Sequence, residues 1–450
     1  MQTRRQFIGT ALALGAFGAI AARAEDKGPA LHAGAGRADV EFPPTFFPIE
    51  GFVAQHDPLA ARVLLLDSGG TRLAIAVVDV TSMPPHMVAG MKAILGRIAG
   101  VPRDQAIVCA SHTFSAPHVP PVGEGPPGSD PARNEALLRR YEAALESAAT
   151  QAVGALQPAT LGYGEGICRV GVNRDLPTAH GWWLGSNDEG FSDPTIGVLR
   201  VNGRDGSPLA ILLNASVQSS IMDGSQRADG GKLITSDLAG AAARYIEQHY
   251  GRDAVALFLV GAAGDQAPTL QANRHVAGED GSVTRVDVHD AGFLLVDLLG
   301  EKLGDAAVRV SNQIHSMPSP ALAVVRDGVD VDALTFSPRT PPRGPVSTYT
   351  YQPGGKTVLP FVLLQIGELA LVGMAPELSA SIGARIVAGS PYRHTIVATM
   401  VDGAAKYLPE RQAYGRYTYE ARNSPYAAGS AELAASVIDA RLKRMYDEQH

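Results

Sequence analysis

Residues 73–118 read LAIAVVDVTSMPPHMVAGMKAILGRIAGVPRDQAIVCASHTFSAPH, and this stretch decides the fold class. Leu73 to Val80 is an apolar run of strand length, Pro85 to Ile98 is helix-like, and Gln105 to Ala110 is a second apolar run that breaks off into polar residues. The same alternation continues on both sides. Strand-like runs cover Ala61 to Asp67, Gly197 to Val201, Leu209 to Leu213, Val255 to Val260 and Glu368 to Val372. Helix-like stretches cover Pro131 to Leu156, Ser236 to His249, Asp290 to Ala307 and Ala431 to Tyr446. Strands alternating with helices predict an α/β protein of mixed β-sheets flanked by helices. The loop-rich stretch from Pro318 to Pro360 reads either as strands of a second sheet or as a domain joint. No Ser/Gly linker interrupts the chain, so one compact unit is expected over residues 25–450.

The chain has 450 residues, 45% hydrophobic and 18% charged, which excludes a disordered or fibrous protein. A formal charge of −7 excludes a binder of the phosphate backbone, so nucleic acid is not an expected partner. Thr3-Arg4-Arg5-Gln6-Phe7-Ile8, an apolar run from Thr10 to Ile20 and the small-x-small triplet Ala22-Arg23-Ala24 form a twin-arginine export signal over residues 1–24. Its loss removes Arg4, Arg5 and Arg23 and no acid, taking the charge from −7 to −10. No other run approaches the length of a transmembrane helix, so a periplasmic or secreted protein is expected. That route carries folded proteins, which favours a bound metal. Cys109 and Cys168 are too few for a disulfide framework, and sequence leaves their pairing open.

Four segments share one layout, a hydrophobic strand followed by polar residues and small turn formers. In α/β proteins ligands collect at such strand ends. After Gln105–Ala110 comes Ser111-His112-Thr113-Phe114-Ser115-Ala116-Pro117-His118, where His112 can serve a metal or act as a base, or simply be a capped loop histidine. After Leu209–Leu213 comes Asn214-Ala215-Ser216-Val217-Gln218, polar but without a strong base. After Val255–Val260 comes Gly261-Ala262-Ala263-Gly264-Asp265-Gln266-Ala267-Pro268, where Asp265 can orient a base, bind substrate or form an Asx turn. It is no P-loop, because no Gly-Lys-Ser/Thr follows. After Glu368–Val372 comes Glu377, placed as a ligand, a base or a helix N-terminal residue, and Tyr407 lies thirty residues on. Nucleophile-elbow, His-Glu-x-x-His and Rossmann motifs are absent from the sequence.

In this order the segments resemble the neutral/alkaline (non-lysosomal) ceramidase family, over roughly Gly34 to Ser430. Gly36-Arg37-Ala38-Asp39-Val40 looks like that family's Gly-x-Ala-Asp-Ile, and Ser111 to Pro117 resembles its Thr-His-Thr-His-Ser-Gly-Pro. Val172-Asn173-Arg174 matches its Asn-Arg, Gly264 to Pro268 resembles its Gly-Asp-Val-Ser-Pro, and Pro376-Glu377 and Tyr407 fall where its late Glu and Tyr stand. The family's C-terminal immunoglobulin-like domain has no room here.

The resemblance implies zinc held by His112, Glu377 and Tyr407, with Gln218 where the family has its second histidine. It implies Arg174 and Asn173 at the substrate, with Phe114, His118 and Ala267 beside them; Phe114 replaces a histidine and Ala267 the serine nucleophile. With that serine gone, the expected chemistry is attack by metal-activated water on an N-acyl amide, ceramide-like or smaller, or on an ester, helped by Asp265, Arg174 and Tyr407. The substrate is thus a small molecule or lipid amide. The alternative is a degenerate homologue that binds such a ligand without catalysis.

Overall fold

Along the strand Leu59–Ser68, successive side chains enter different apolar environments: Val63 and Leu65 pack toward helices, while Leu64 and Leu66 enter a central core. This is the period of two of a strand buried on both faces. The computed structural model describes residues 30–120, 130–251, 253–278, 280, 282–316, 320–335 and 341–448. The export signal expected over Met1–Ala24 lies outside them.

Three sheets face one another across that core. The first runs in the order Ala106–Ala110, Thr71–Val78, Leu59–Ser68, His32–Val40, Gln157–Pro158, and the helices Pro85–Ala99 and Pro131–Gly154 cover its outer face. The second runs Val255–Val260, Pro208–Ala215, Thr195–Asn202, Thr160–Ile167, under Asp237–Tyr250 and Gly292–Ser311. The third runs Leu322–Leu334, Pro353–Ile366, Leu369–Met374, His394–Ala398, under Ala380–Gly389 and Ser430–Asp447. Leu64, Leu212, Leu257, Leu364, Leu371 and Ile396 from the three inner faces share the central core. The architecture is the expected one, mixed sheets flanked by helices.

The stretch from Pro318 to Pro360, expected to hold strands of a second sheet or a domain joint, contributes strands to the third sheet. Leu322–Leu334 and Pro353–Ile366 pair antiparallel along their whole length; Val329 and Val331 stay buried in the far half of the first strand, while Pro353, Gly354 and Gly355 at the start of the second are exposed and look like breakers. His32–Val40 was not read as a strand because its inward residues are small: a Cβ on Gly36 would lie 2.1 Å from the Ala148 carbonyl oxygen of the covering helix. Cys109 and Cys168 are both buried and free. Among the described residues no helix is long and apolar enough to cross a membrane.

Candidate functional site

The parallel pairing in each sheet brings strand C-terminal ends to one edge, and backbone bonds tie those edges together. Ala110 N–H donates to Met400, Thr399 to Val260, and Gly264 to Leu378. Gly264 must be small, since a Cβ there would sit 2.7 Å from the Glu377 carbonyl oxygen. The segments after Ala110, Ala215, Val260 and Met374 therefore meet.

His112 leaves its strand in the left-handed region, at φ 61°, a strained geometry for a histidine. Its backbone N–H donates to Val80, and its Nδ1 lies 2.6 Å from the Thr81 carbonyl oxygen. A carbonyl only accepts, so Nδ1 carries a hydrogen and Nε2 is the nitrogen turned toward Glu377. That Nε2 is buried, has no hydrogen bond, and faces Glu377 Oε2 at 3.1 Å. Phe114 packs edge-on against the imidazole, with centroids 4.6 Å apart.

Glu377 starts a two-residue strand paired in parallel with Tyr407–Leu408, which sets Tyr407 opposite it. Gln218 reaches in from the turn after Ala215: its Nε2 donates to Glu377 Oε2, and its Oε1 accepts from an Arg174 terminal nitrogen at 2.7 Å. Arg174, on the strand Gly171–Thr178, also donates through Nε to Glu420 Oε1 at 2.7 Å, and its guanidinium lies 5.2 Å from the Tyr407 ring centroid and 5.8 Å from that of Tyr419. All five residues, His112, Arg174, Gln218, Glu377 and Tyr407, are buried.

Electrostatics follow from this enclosure. Burial alone would raise the Glu377 carboxyl, but the facing His112, Arg174 and the Gln218 amide hold it below the usual carboxylate range. Burial, then the Glu377 carboxylate, pushes the Tyr407 phenol well above its ordinary value. Burial, then the facing Glu420, drives the Asp175 carboxyl well above its ordinary range.

Asp265 and Asn173 form a neighbouring tier. Asp265 Oδ1 accepts from Ala380 N–H at 2.8 Å, at the first turn of the helix Ala380–Gly389, and its Oδ2 accepts from Asn173 Nδ2 at 3.3 Å. Both residues line a cavity of about 380 Å³ with Trp182, Phe191 and Glu410. Ala267 is buried on the short strand Gln266–Pro268. His118 lies apart: its exposed ring pairs with Glu50 at 2.8 Å. Sequence reasoning missed Glu420, Asp175, Tyr419 and Thr81. Only the carbonyl of Thr81 takes part, and Tyr419 and Glu420 sit in a four-residue helix without a motif.

Burial pushes Asp265 up to about 6 from 3.8, against the bonds it accepts from Ala380 and Gln266. A carboxyl raised by folding contributes stability that is full below the unfolded value and is lost as pH rises through the folded one. The melting temperature should fall between about pH 4 and pH 6 and fall less in Asp265→Asn. An equal fall in both proteins would assign the dependence elsewhere, for example to Asp237, which burial also raises to about 6.

The donor set was tested against the zinc that the resemblance implies. His112 fits, with Nδ1 tied to a backbone carbonyl and Nε2 turned into the cluster toward Glu377. Gln218 does not: it turns N–H groups, not its oxygen, toward Glu377. Among the described residues no three His, Cys, Asp or Glu side chains are grouped to hold a metal ion. The four residues expected as ligands are together, but as arranged they do not form a zinc site.

No protein-family model matches the sequence, and no curated protein matches it. Solved structures do. The chain is similar to the neutral ceramidase from Pseudomonas aeruginosa, with 19% identity and a TM-score of 0.70 over 92% of this chain and 75% of that one. It is also similar to a ceramidase complexed with C2, with 17% identity and a TM-score of 0.72 over 93% and 76%. At such identity the likeness is one of fold.

Proposed function

We propose that this chain, which has the neutral ceramidase fold, is an exported hydrolase that cleaves an amide or ester bond of a small acyl substrate, ceramide-like or smaller. The observation that carries this reading is the closure of His112, Arg174, Glu377 and Tyr407, drawn from four distant segments, into one buried cluster at the strand ends. Ala267 has no hydroxyl, so water attacks the carbonyl directly and no acyl-enzyme forms. The His112–Glu377 pair, 3.1 Å apart, takes up the water proton and returns it to the leaving nitrogen or oxygen as the acyl bond breaks. Arg174 and the neutral Tyr407 phenol supply hydrogen-bond donors for the oxyanion. Phe114 makes the approach to His112 apolar, which suits an acyl chain. Zinc would polarise the carbonyl and acidify a bound water, but no step of this reading runs through it.

Binding without turnover is the second reading. It is favoured by Ala267 and by the near-complete burial of every cluster member. The experiment that separates the two is release of acid or amine from a panel of N-acyl amides and esters. Turnover should drop on the order of 100-fold or more in both His112→Ala and Glu377→Gln. Saturable binding with no turnover would establish the second reading, and turnover indifferent to both substitutions would overturn the site.

A further inference from the structure

We infer that the amide at position 218, held between Arg174 and Glu377, is what keeps zinc out of this cluster. Gln218 lies between a guanidinium, which only donates, and a carboxylate, which only accepts. Its orientation is therefore unique: oxygen to Arg174, nitrogen to Glu377. To ligate a metal beside Glu377 and His112, the amide would have to turn over. That would break both hydrogen bonds and set its N–H groups against those of Arg174, now 2.7 Å from Oε1. Turned or not, a neutral amide is a weaker zinc ligand than imidazole.

Charge points the same way. Arg174 lies between two buried carboxylates: it is paired with Glu420 at 2.7 Å and reaches Glu377 through the Gln218 amide. A dication brought up to Glu377 would meet a guanidinium already stacked on Tyr407. An imidazole at 218 would change this at one stroke. It offers zinc a ring-nitrogen lone pair beside Glu377 and His112, a stronger ligand than the amide oxygen.

The test is zinc binding, which is read independently of turnover. Mature protein stripped with chelator is titrated with zinc by calorimetry, and its metal content is measured after dialysis. The wild type should retain no stoichiometric zinc, and Gln218→His should bind on the order of 100-fold more tightly. Adding His112→Ala to Gln218→His should abolish the gain. Gln218→Glu is the backup where Gln218→His does not fold: its second carboxylate faces Glu377 and should also recruit zinc. Near-stoichiometric zinc on the wild type that is lost in His112→Ala would overturn the inference. So would the failure of a folded Gln218→His or Gln218→Glu to bind zinc.

Discussion

Arg174→Met should lower the free energy of unfolding by roughly 3–5 kcal/mol, because it strands a buried carboxylate. Methionine keeps most of the stem volume, so the loss reports the charge and its bonds rather than a cavity. Glu420 is 1% exposed and takes both Nε and a terminal nitrogen of Arg174 on one oxygen at 2.7 Å. Without the cation it faces Asp175 in a site closed to water, and Gln218 loses the donor that orients it. Adding Glu420→Gln to Arg174→Met should recover part of the loss, since it removes the stranded charge. Denaturant midpoints of the three proteins measure this. A loss under about 1 kcal/mol would mean that the guanidinium is not structurally committed to the cluster.

Gly36→Ala should cost about 3 kcal/mol, the upper range for overpacking, and Gly36→Val should prevent accumulation of folded protein. The new Cβ would lie 2.1 Å from Ala148 O and 2.8 Å from Ala152 N. These are helix backbone atoms and cannot swing aside. The helix Pro131–Gly154 would have to lift off the sheet, exposing a core that includes Leu137, Tyr141 and Leu145. Gly154→Ala, at the end of the same helix, meets nothing within 4 Å and should be neutral or slightly stabilising. Thermal melts of the pair check the contrast, and equal melting temperatures would refute the close-packing account.

What could be read from sequence follows from how each element is buried. Val255–Val260 was legible residue for residue because both its faces are covered, so every position is apolar. His32–Val40 was not, because close helix packing demands glycine where a strand pattern would show a branched side chain. The pair Leu322–Leu334 and Pro353–Ile366 escaped for another reason: where it leaves the sheet only one face is covered, by Val329, Val331 and Leu359, and Asp, Lys and Gly fill the other strand positions. At the site, the strand-end layout offers His112 and Glu377, while the roles of Arg174, Gln218 and Tyr407 come from the resemblance. Residue type still did not reveal which end of the Gln218 amide points at Glu377. That depends on contact with Arg174, 44 residues away in the chain.

The most direct measurement is hydrolysis of an N-acyl amide and ester panel by mature, chelator-stripped wild-type protein, with and without added zinc. Turnover that is present after stripping and unchanged by zinc is the predicted result, because the His112–Glu377 pair and Arg174 do the work. Turnover that appears only when zinc is restored would contradict the account.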